Sequence, residues 1–125
     1  MPKANRVNDR SPLKPEDFQI LLALEGGERH GYAILKEIER ATEGRMRLAP
    51  SPFYRKLKRM EGRGWVRETD ERPAPELDDE RRRYYELTPL GRDVLTAEAR
   101  RVVELAGSRT VLRLAGADAR PQGRS

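Results

Sequence analysis

The segment from residue 51 to residue 64, SPFYRKLKRMEGRG, constrains the fold of this chain more than any other stretch. Ser51 is a residue type that caps helices, and Pro52 suits a first helical position, where a missing N–H is tolerated. The segment holds five Lys or Arg residues against one Glu, a net charge of +4 in fourteen residues. We therefore predict an amphipathic helix whose basic face is offered to nucleic acid, with a merely solvated basic face as the alternative. Its apolar face is expected to contain Phe53, Leu57 and Met60.

Two further helices are predicted before this segment. Residues 15–25, PEDFQILLALE, begin with proline and two acids, which is typical of a first helical turn, and two glycines follow. Residues 30–42, HGYAILKEIERAT, have an apolar stripe at helical spacing. His30 is interpreted as a capping or packing residue, because the chain has no other histidine and no cysteine to share a metal.

After Gly64 the pattern changes to that of strands. Residues 65–69, WVRET, and 83–87, RYYEL, are rich in side chains that favour strands, and we expect them to pair as a hairpin. The segment between them, ERPAPELDDERR, is proline-containing and highly charged, which indicates a long exposed loop. The predicted fold is mainly α with a small β-hairpin: a winged helix-turn-helix plus a long C-terminal helix.

The last predicted helix begins at Thr88 and Pro89, a second cap followed by proline. It is expected to span residues 88–115, with a bend or an end near Gly107 and Ser108. Its apolar stripe either folds back on the core of its own chain or packs against a second copy. We favour the second copy, because the preceding elements already form a closed unit. The predicted dimerisation residues are Leu90, Val94, Leu95, Val102 and Leu105.

The predicted organisation has four parts. Residues 1–13 are expected to be a flexible basic arm, or a terminus with no role; residues 14–87 form the winged helix domain; residues 88–115 form the dimerisation helix; and residues 116–125 form a disordered tail.

Composition narrows the functional classes. The net charge of +5 and the pI of about 9.9 favour a polyanionic partner, although a soluble basic protein would share them. Without cysteine, and with one histidine, the chain offers no disulfide and little for a metal site, so we expect neither a cofactor nor an enzyme. No apolar run approaches the roughly 20 residues of a membrane helix, which predicts a cytoplasmic protein without a membrane partner.

The predicted DNA contacts centre on the basic helix. Its N-terminal turn attracts phosphate, so Ser51 and Tyr54 are expected to anchor the DNA backbone. Arg55 and Lys58, about one turn apart, are the candidates for reaching base edges in the major groove. Other basic residues of the helix are expected to meet phosphates or solvent: Lys56, Arg59 and Arg63. At the hairpin, phosphate contacts are predicted for Arg72, Arg81 and Arg82.

Three blocks of sequence, in this order, resemble the PadR family of bacterial transcriptional regulators: ILLALEGGERHGYAILKEIE, LAPSPFYRKLKRMEGRGWV and DDERRRYYELTPLGRDVL. The resemblance covers about residues 17–104. The tyrosine typical of the family's reading helix falls on Tyr54, and its H-G-Y motif falls on residues 30–32. The block R-Y-Y-x-L-T-x-x-G falls on residues 83–91.

The resemblance implies a winged helix, a C-terminal helix that forms a homodimer, and repression of neighbouring genes, often relieved by a small molecule such as a phenolic acid or a drug. The chain resembles the short form of the family, some members of which bind flat aromatic drugs between tryptophans of the C-terminal helix. The single tryptophan here, Trp65, belongs to the hairpin and is expected in the core. Where the family usually has glycine, threonine or serine, and leucine before the tyrosine, this chain has Ser51, Pro52 and Phe53.

Three functions remain to be separated. The first is a dimeric repressor that recognises a palindromic operator in double-stranded DNA, with one reading helix in each half-site. The second is a winged helix used as a protein-interaction module, whose basic helix meets an acidic partner. The third is chiefly a ligand sensor, with an aromatic or apolar effector bound near the dimerisation helices.

Overall fold

The computed structural model describes residues 12–69 and 83–116. In these ranges the chain forms five helices and a three-stranded antiparallel sheet. In chain order the elements are α1 (Pro15–Ala23), β1 (Arg29–His30), α2 (Gly31–Ala41), α3 (Pro50–Gly62), β2 (Val66–Glu68), β3 (Tyr84–Leu87), α4 (Pro89–Ala106) and α5 (Arg109–Ala115). The predicted fold class is confirmed. No helix in these ranges combines the length and the apolar character needed to cross a membrane.

The first two helices begin and end as their local sequences predict. Pro15 occupies the first turn of α1, followed by two acids that favour the positive end of the helix dipole. His30 caps α2: its Nδ1 accepts a hydrogen bond of 3.1 Å from the backbone N–H of Ala33. The prediction of a capping histidine is therefore confirmed. After the C-cap Thr42, Glu43 and Gly44 both have positive φ, +54° and +78°, and the N–H of Gly44 donates to the carbonyl of Glu39 at 2.8 Å.

The start of α3 corrects one prediction. The helix begins at Pro50 after Ala49, and no side chain caps it, so the expected cap by Ser51 is wrong. Pro50 has the fixed φ of a first helical residue, and the carbonyl of Ala49 already accepts from the N–H of Phe53 at 3.1 Å. Ser51 is consequently the second helical residue, and its side chain remains available at the surface.

The sheet contains the predicted hairpin and one strand that was not predicted. β2 and β3 pair antiparallel, with Arg67 opposite Glu86. β1 pairs with the other edge of β3, with Arg29 opposite Tyr85 and His30 opposite Tyr84, so the strand order is β1-β3-β2. A two-residue strand has too little sequence for an alternating pattern, which is why β1 was not foreseen. The predicted loop tip, residues 70–82, lies outside the described residues.

The core joins four of the helices to the sheet. The residues predicted for the inner face of α3 are all buried, and so is Trp65, which is 2% exposed. Leu13, which was assigned to the flexible arm, is also buried and belongs to the core, because it lies directly before α1. The buried apolar side chains are Leu13, Ile20, Leu21, Ala23, Leu24, Ile34, Ile38, Phe53, Leu57, Met60, Trp65, Val66, Tyr85, Val94 and Leu95.

The predicted dimerisation stripe divides into two parts. Val94 and Leu95 are 2% and 5% exposed and belong to the core of their own chain, and Leu90 packs against that core. The first half of α4 folds back on α1 and β3 of its own chain, so a dimer contact through these three residues remains a prediction. Leu105 is 51% exposed and Val102 is half-buried, so the second half of the stripe remains at the surface.

The expected single helix over residues 88–115 is two helices. Thr88 caps α4, as predicted, by accepting from the N–H of Gly91 at 2.9 Å. Gly107 ends α4, and Ser108 caps α5 by accepting from the N–H of Val111 at 3.4 Å. The break therefore lies at the predicted glycine and serine. Most of the predicted arm and tail lies outside the described residues.

Candidate nucleic-acid interface

The exposed face of α3 is the most basic helical surface in the described part of the chain. Arg55, Lys58 and Arg59 are exposed, whereas the apolar residues of the opposite face are buried. A depression of about 400 Å³ at the N-terminal end of this face is lined by Pro50, Ser51, Tyr54, Arg55 and Lys58. Four of the predicted DNA-binding residues are thus brought together by a single helix: Ser51, Tyr54, Arg55 and Lys58.

Ser51 and Arg55 form a contact across the first turn of α3. Nη1 of Arg55 donates a hydrogen bond of 3.2 Å to the Oγ of Ser51, and both residues are exposed. The spacing of four residues places them one above the other on the helix. The contact directs the Arg55 guanidinium toward the N-terminal end of the helix, where the dipole favours anions.

The two prolines reduce what the start of α3 offers to a phosphate. Pro50 and Pro52 occupy the first and third helical positions and carry no backbone N–H. The fourth N–H, that of Phe53, is already bonded to Ala49. Ser51 therefore supplies the one backbone N–H left for an anion in this turn.

Tyr54 faces the protein more than the solvent. Its ring packs edge-on against Phe53, with centroids 4.8 Å apart and an interplanar angle of 68°. Its hydroxyl oxygen is buried, and the far end of the ring lies against Gly31 at the start of α2. The structure thus favours a packing role for Tyr54 over the predicted phosphate contact.

Lys56 turns away from the basic face. Its side chain is 16% exposed, and Nζ lies 3.2 Å from Oε1 of Glu16 and 3.5 Å from Oδ1 of Asp17. Both acids belong to the first turn of α1. This role was not predicted from the sequence. The available signal was the position of Lys56 directly before Leu57, at the border of the apolar stripe, together with a pair of acids elsewhere in the chain.

Two groups at the C-terminal end of α3 modify the basic face. The Arg63 guanidinium lies over the Trp65 ring, 5.2 Å from its centroid, and thus packs against the hairpin. Burial raises the pKa of the Glu61 carboxyl above its usual value, and the nearby Glu68 carboxylate raises it further. The exposed cations of α3 that have no such partner at this end are Arg55, Lys58 and Arg59, in its second and third turns.

The described stems of the hairpin are charge-paired. Arg67 forms an ion pair with Glu86, and Nε of Arg83 lies 3.6 Å from Oε2 of Glu68. The three arginines predicted to contact phosphate from the hairpin, Arg72, Arg81 and Arg82, lie outside the described residues. Among residues 12–69 and 83–116, no group of His, Cys, Asp or Glu side chains is arranged to hold a metal.

A second surface feature lies away from α3. Between α1 and α4 is a mainly apolar groove of about 520 Å³, in which Leu22 is 41% exposed and Val103 is 70% exposed. Both signs of charge are present at its rim. The groove is lined by Leu22, Glu25, Arg92, Leu95, Thr96, Ala99, Arg100, Val103 and Glu104.

Comparison with known proteins places this architecture in a family. The sequence profile of the PadR-like transcriptional regulator family matches residues 20–97. A Streptomyces fradiae protein described as an uncharacterized 37.1 kDa protein in transposon Tn4556 is 36% identical over 102 residues. That match covers 82% of this chain and 25% of the relative, so the chain spans about a quarter of the relative's length.

Solved structures agree on the fold. A PadR family transcription regulator from Clostridium difficile is 25% identical, with a TM-score of 0.60, and the match covers 78% of this chain and 94% of that one. Bacillus subtilis PadR in complex with operator DNA is 22% identical, with a TM-score of 0.57, and covers 70% of this chain and 47% of that one. The resemblance to PadR proteins is confirmed, and so is the prediction that the chain is not an enzyme, because the family consists of transcriptional regulators. This chain belongs to the PadR-like family of transcriptional regulators.

Proposed function

We propose that this chain regulates transcription by binding double-stranded DNA as a homodimer, with α3 of each copy in a major groove. One observation carries the proposal: α3 is held on one side by buried apolar residues and exposes Arg55, Lys58 and Arg59 on the other. A helix fits the major groove of B-form DNA, and a winged helix domain offers such a helix at its surface. The complex of Bacillus subtilis PadR with operator DNA supports the same use of this fold.

Within α3 we assign base contacts to Arg55 and Lys58. Both are exposed beside the depression at the start of the helix. Arg and Lys donate to the O6 and N7 acceptors of guanine, so a guanine in each half-site is expected. Ser51 and Arg59 are assigned to phosphates. Contacts from Arg72, Arg81 and Arg82 remain predictions.

The groove between α1 and α4 supports the homodimer. Its exposed apolar residues, Leu22 and Val103, would lose solvent in a symmetric contact. Its rim carries both signs of charge, Glu25 and Glu104 with Arg92 and Arg100, a composition that is compatible with a symmetric contact between two copies. Sedimentation of Val103→Asp is expected to give monomers where the unmodified chain gives dimers. The control is Arg109→Asp, at an exposed position beyond the groove, which should leave the dimer intact.

The DNA proposal is tested by selection. The purified protein is incubated with fragments of its own genome at moderate salt, and the retained fragments are sequenced. A shared palindrome, bound with an affinity that falls steeply with salt, is expected. Retained fragments without a common sequence would favour the alternative of a protein-interaction module.

The finer parts of the proposal concern regulation. We infer that binding represses neighbouring genes, which a reporter gene placed behind the selected palindrome tests directly.

Relief by a small aromatic effector is supported by the apolar lining of the groove. A thermal shift screen with phenolic acids and cationic dyes should find a stabilising compound that also weakens DNA binding; a screen without any hit would count against a ligand sensor. A cytoplasmic location, on the nucleoid, follows from the proposed DNA partner.

A further inference from the structure

Lys56 connects two elements that are distant in sequence. It is 39 positions away from Asp17, yet its ammonium lies between the carboxylates of Glu16 and Asp17. The side chains of Lys56 and Asp17 are 16% and 15% exposed, and that of Glu16 is 45% exposed. Surface ion pairs contribute little because water and salt screen them, but a half-buried pair is screened much less. This ion pair therefore forms a directional link between α3 and α1.

The positions of the two carboxylates are set by α1 itself and do not depend on Lys56. Glu16 and Asp17 lie in the first turn of α1, where the helix dipole stabilises negative charge. α1 packs against α4, and Arg92 of α4 donates to the carbonyl of Glu25 at 3.4 Å, just beyond the end of α1. The acids thus belong to the part of the domain that also lines the groove between α1 and α4.

The link adds a directional contact to the apolar packing that holds α3. The inner face of α3 contacts the core through apolar side chains, and such contacts have little directionality. Rotation of α3 about its axis would turn the groups on its outer face toward different base pairs. Lys56 lies next to Arg55 and two residues before Lys58, so a fixed ammonium determines the direction in which both project.

We propose that Lys56 is a positioning residue: its ion pair with Glu16 and Asp17 sets the rotation of α3 and so aims Arg55 and Lys58 at the bases. The proposal rests on the DNA-binding function proposed above. It replaces the phosphate contact that the sequence suggests for Lys56. A positioning residue affects the choice between DNA sequences, whereas a phosphate contact strengthens binding to all sequences alike.

The test compares Lys56→Met with Arg59→Met on two duplexes, the palindrome selected by the unmodified protein and a shuffled duplex of the same length and composition. Lys56→Met is expected to bind the palindrome about tenfold more weakly, to bind the shuffled duplex unchanged, and to keep the slope of log K against log salt. Arg59→Met, the phosphate reference, should weaken binding to both duplexes and reduce the slope by about 0.9.

A charge exchange provides the rescue. Lys56→Glu alone should lose discrimination between the duplexes, and Lys56→Glu combined with Glu16→Gln and Asp17→Lys should recover part of it, because one ion pair is restored with opposite polarity and no like charge remains beside it. Melting curves establish that each variant is folded. If the triple variant does not fold, the comparison of Lys56→Met with Arg59→Met decides the question.

Three results would overturn the assignment. One is equal weakening by Lys56→Met on both duplexes, with a reduced salt slope. Another is a lower melting temperature with unchanged discrimination, which is what a merely stabilising role would give. The third is a folded charge exchange without recovery. If the unmodified protein itself fails to discriminate, the DNA-binding function fails as well, and that outcome is distinguished by the unmodified protein alone.

Discussion

The ring of Tyr54 in α3 lies directly against Gly31 at the start of α2. A Cβ on Gly31 would be 2.7 Å from Cε1 and 2.7 Å from the hydroxyl oxygen of Tyr54, closer than real Cβ contacts occur. Gly31 is buried and follows the His30 cap. The glycine of the H-G-Y motif and Tyr54 of α3 therefore form one packing contact, which seats the start of α3.

We predict that Gly31→Ala moves the Tyr54 ring and with it the start of α3. The free energy of unfolding should fall by about 1–3 kcal/mol, as for other overpacked sites, and DNA affinity should fall too. In a Tyr54→Ala background the same change at Gly31 should cost less than about 0.5 kcal/mol, because the clash is gone. Denaturant unfolding of the four proteins measures this coupling. Equal costs in both backgrounds would show that the two residues do not interact.

Gly91 is predicted to tolerate no larger residue, because backbone atoms lie where a side chain would begin. A Cβ on Gly91 would lie 1.9 Å from the carbonyl oxygen of Trp65, which also accepts from the N–H of Thr88 at 3.0 Å. Backbone cannot rotate away as a side chain can, so Gly91→Ala should destabilise the fold by at least about 3 kcal/mol. Gly62→Ala is the control: it has nothing within 4 Å of an added Cβ and should gain about 0.5–1 kcal/mol. Thermal melts that show similar effects at both positions would contradict this packing.

Glu61 should make the stability depend on pH in a defined direction. Its pKa is raised in the folded state by burial and then by Glu68, so its protonated form favours folding. This contribution is present below the ordinary glutamate pKa, about 4.3, and is lost as the pH rises through the raised pKa. Glu61→Gln should therefore melt at a higher temperature than the unmodified protein at pH 7, and the difference should vanish in acid.

Glu37 supplies a control of opposite sign for this pH dependence. A hydrogen bond from Arg40 lowers the pKa of Glu37, so its contribution is present above the ordinary pKa and is lost as the pH falls through the lowered one. Glu37→Gln should slightly lower the melting temperature at pH 7 and have no effect in acid. Matching signs for the two substitutions at pH 7 would contradict the assigned causes.

The periodic parts of the chain were predictable because their patterns report burial directly. The spacing of Phe53, Leu57 and Met60 predicts the inner face of α3, and all three are buried. The hairpin and the glycine–serine break after α4 also follow from local residue preferences. Local signals of this kind depend on a few neighbouring residues and need no knowledge of the rest of the fold.

Contacts between distant segments were not predictable in the same way. Ser51 has the chemistry of a cap, but with Pro50 as the first helical residue α3 starts two residues earlier than predicted. Lys56 resembles its basic neighbours in sequence, and only the packing of α1 beside α3 turns it inward. Val94 and Leu95 fit either an internal or an intermolecular stripe, and only the docking of α4 on α1 buries them in the core of their own chain.

The most direct test of DNA binding by α3 is the affinity of the double variant Arg55→Ala, Lys58→Ala for the selected palindrome, measured by gel shift. The control is Arg109→Ala, Arg113→Ala, which removes the same charge from exposed positions of α5. Two base contacts of about 1–3 kcal/mol each predict a loss of at least about 30-fold for the α3 variant, while the control should keep its affinity within a few-fold. Equal affinities of the two variants would contradict the assignment of α3 as the reading helix.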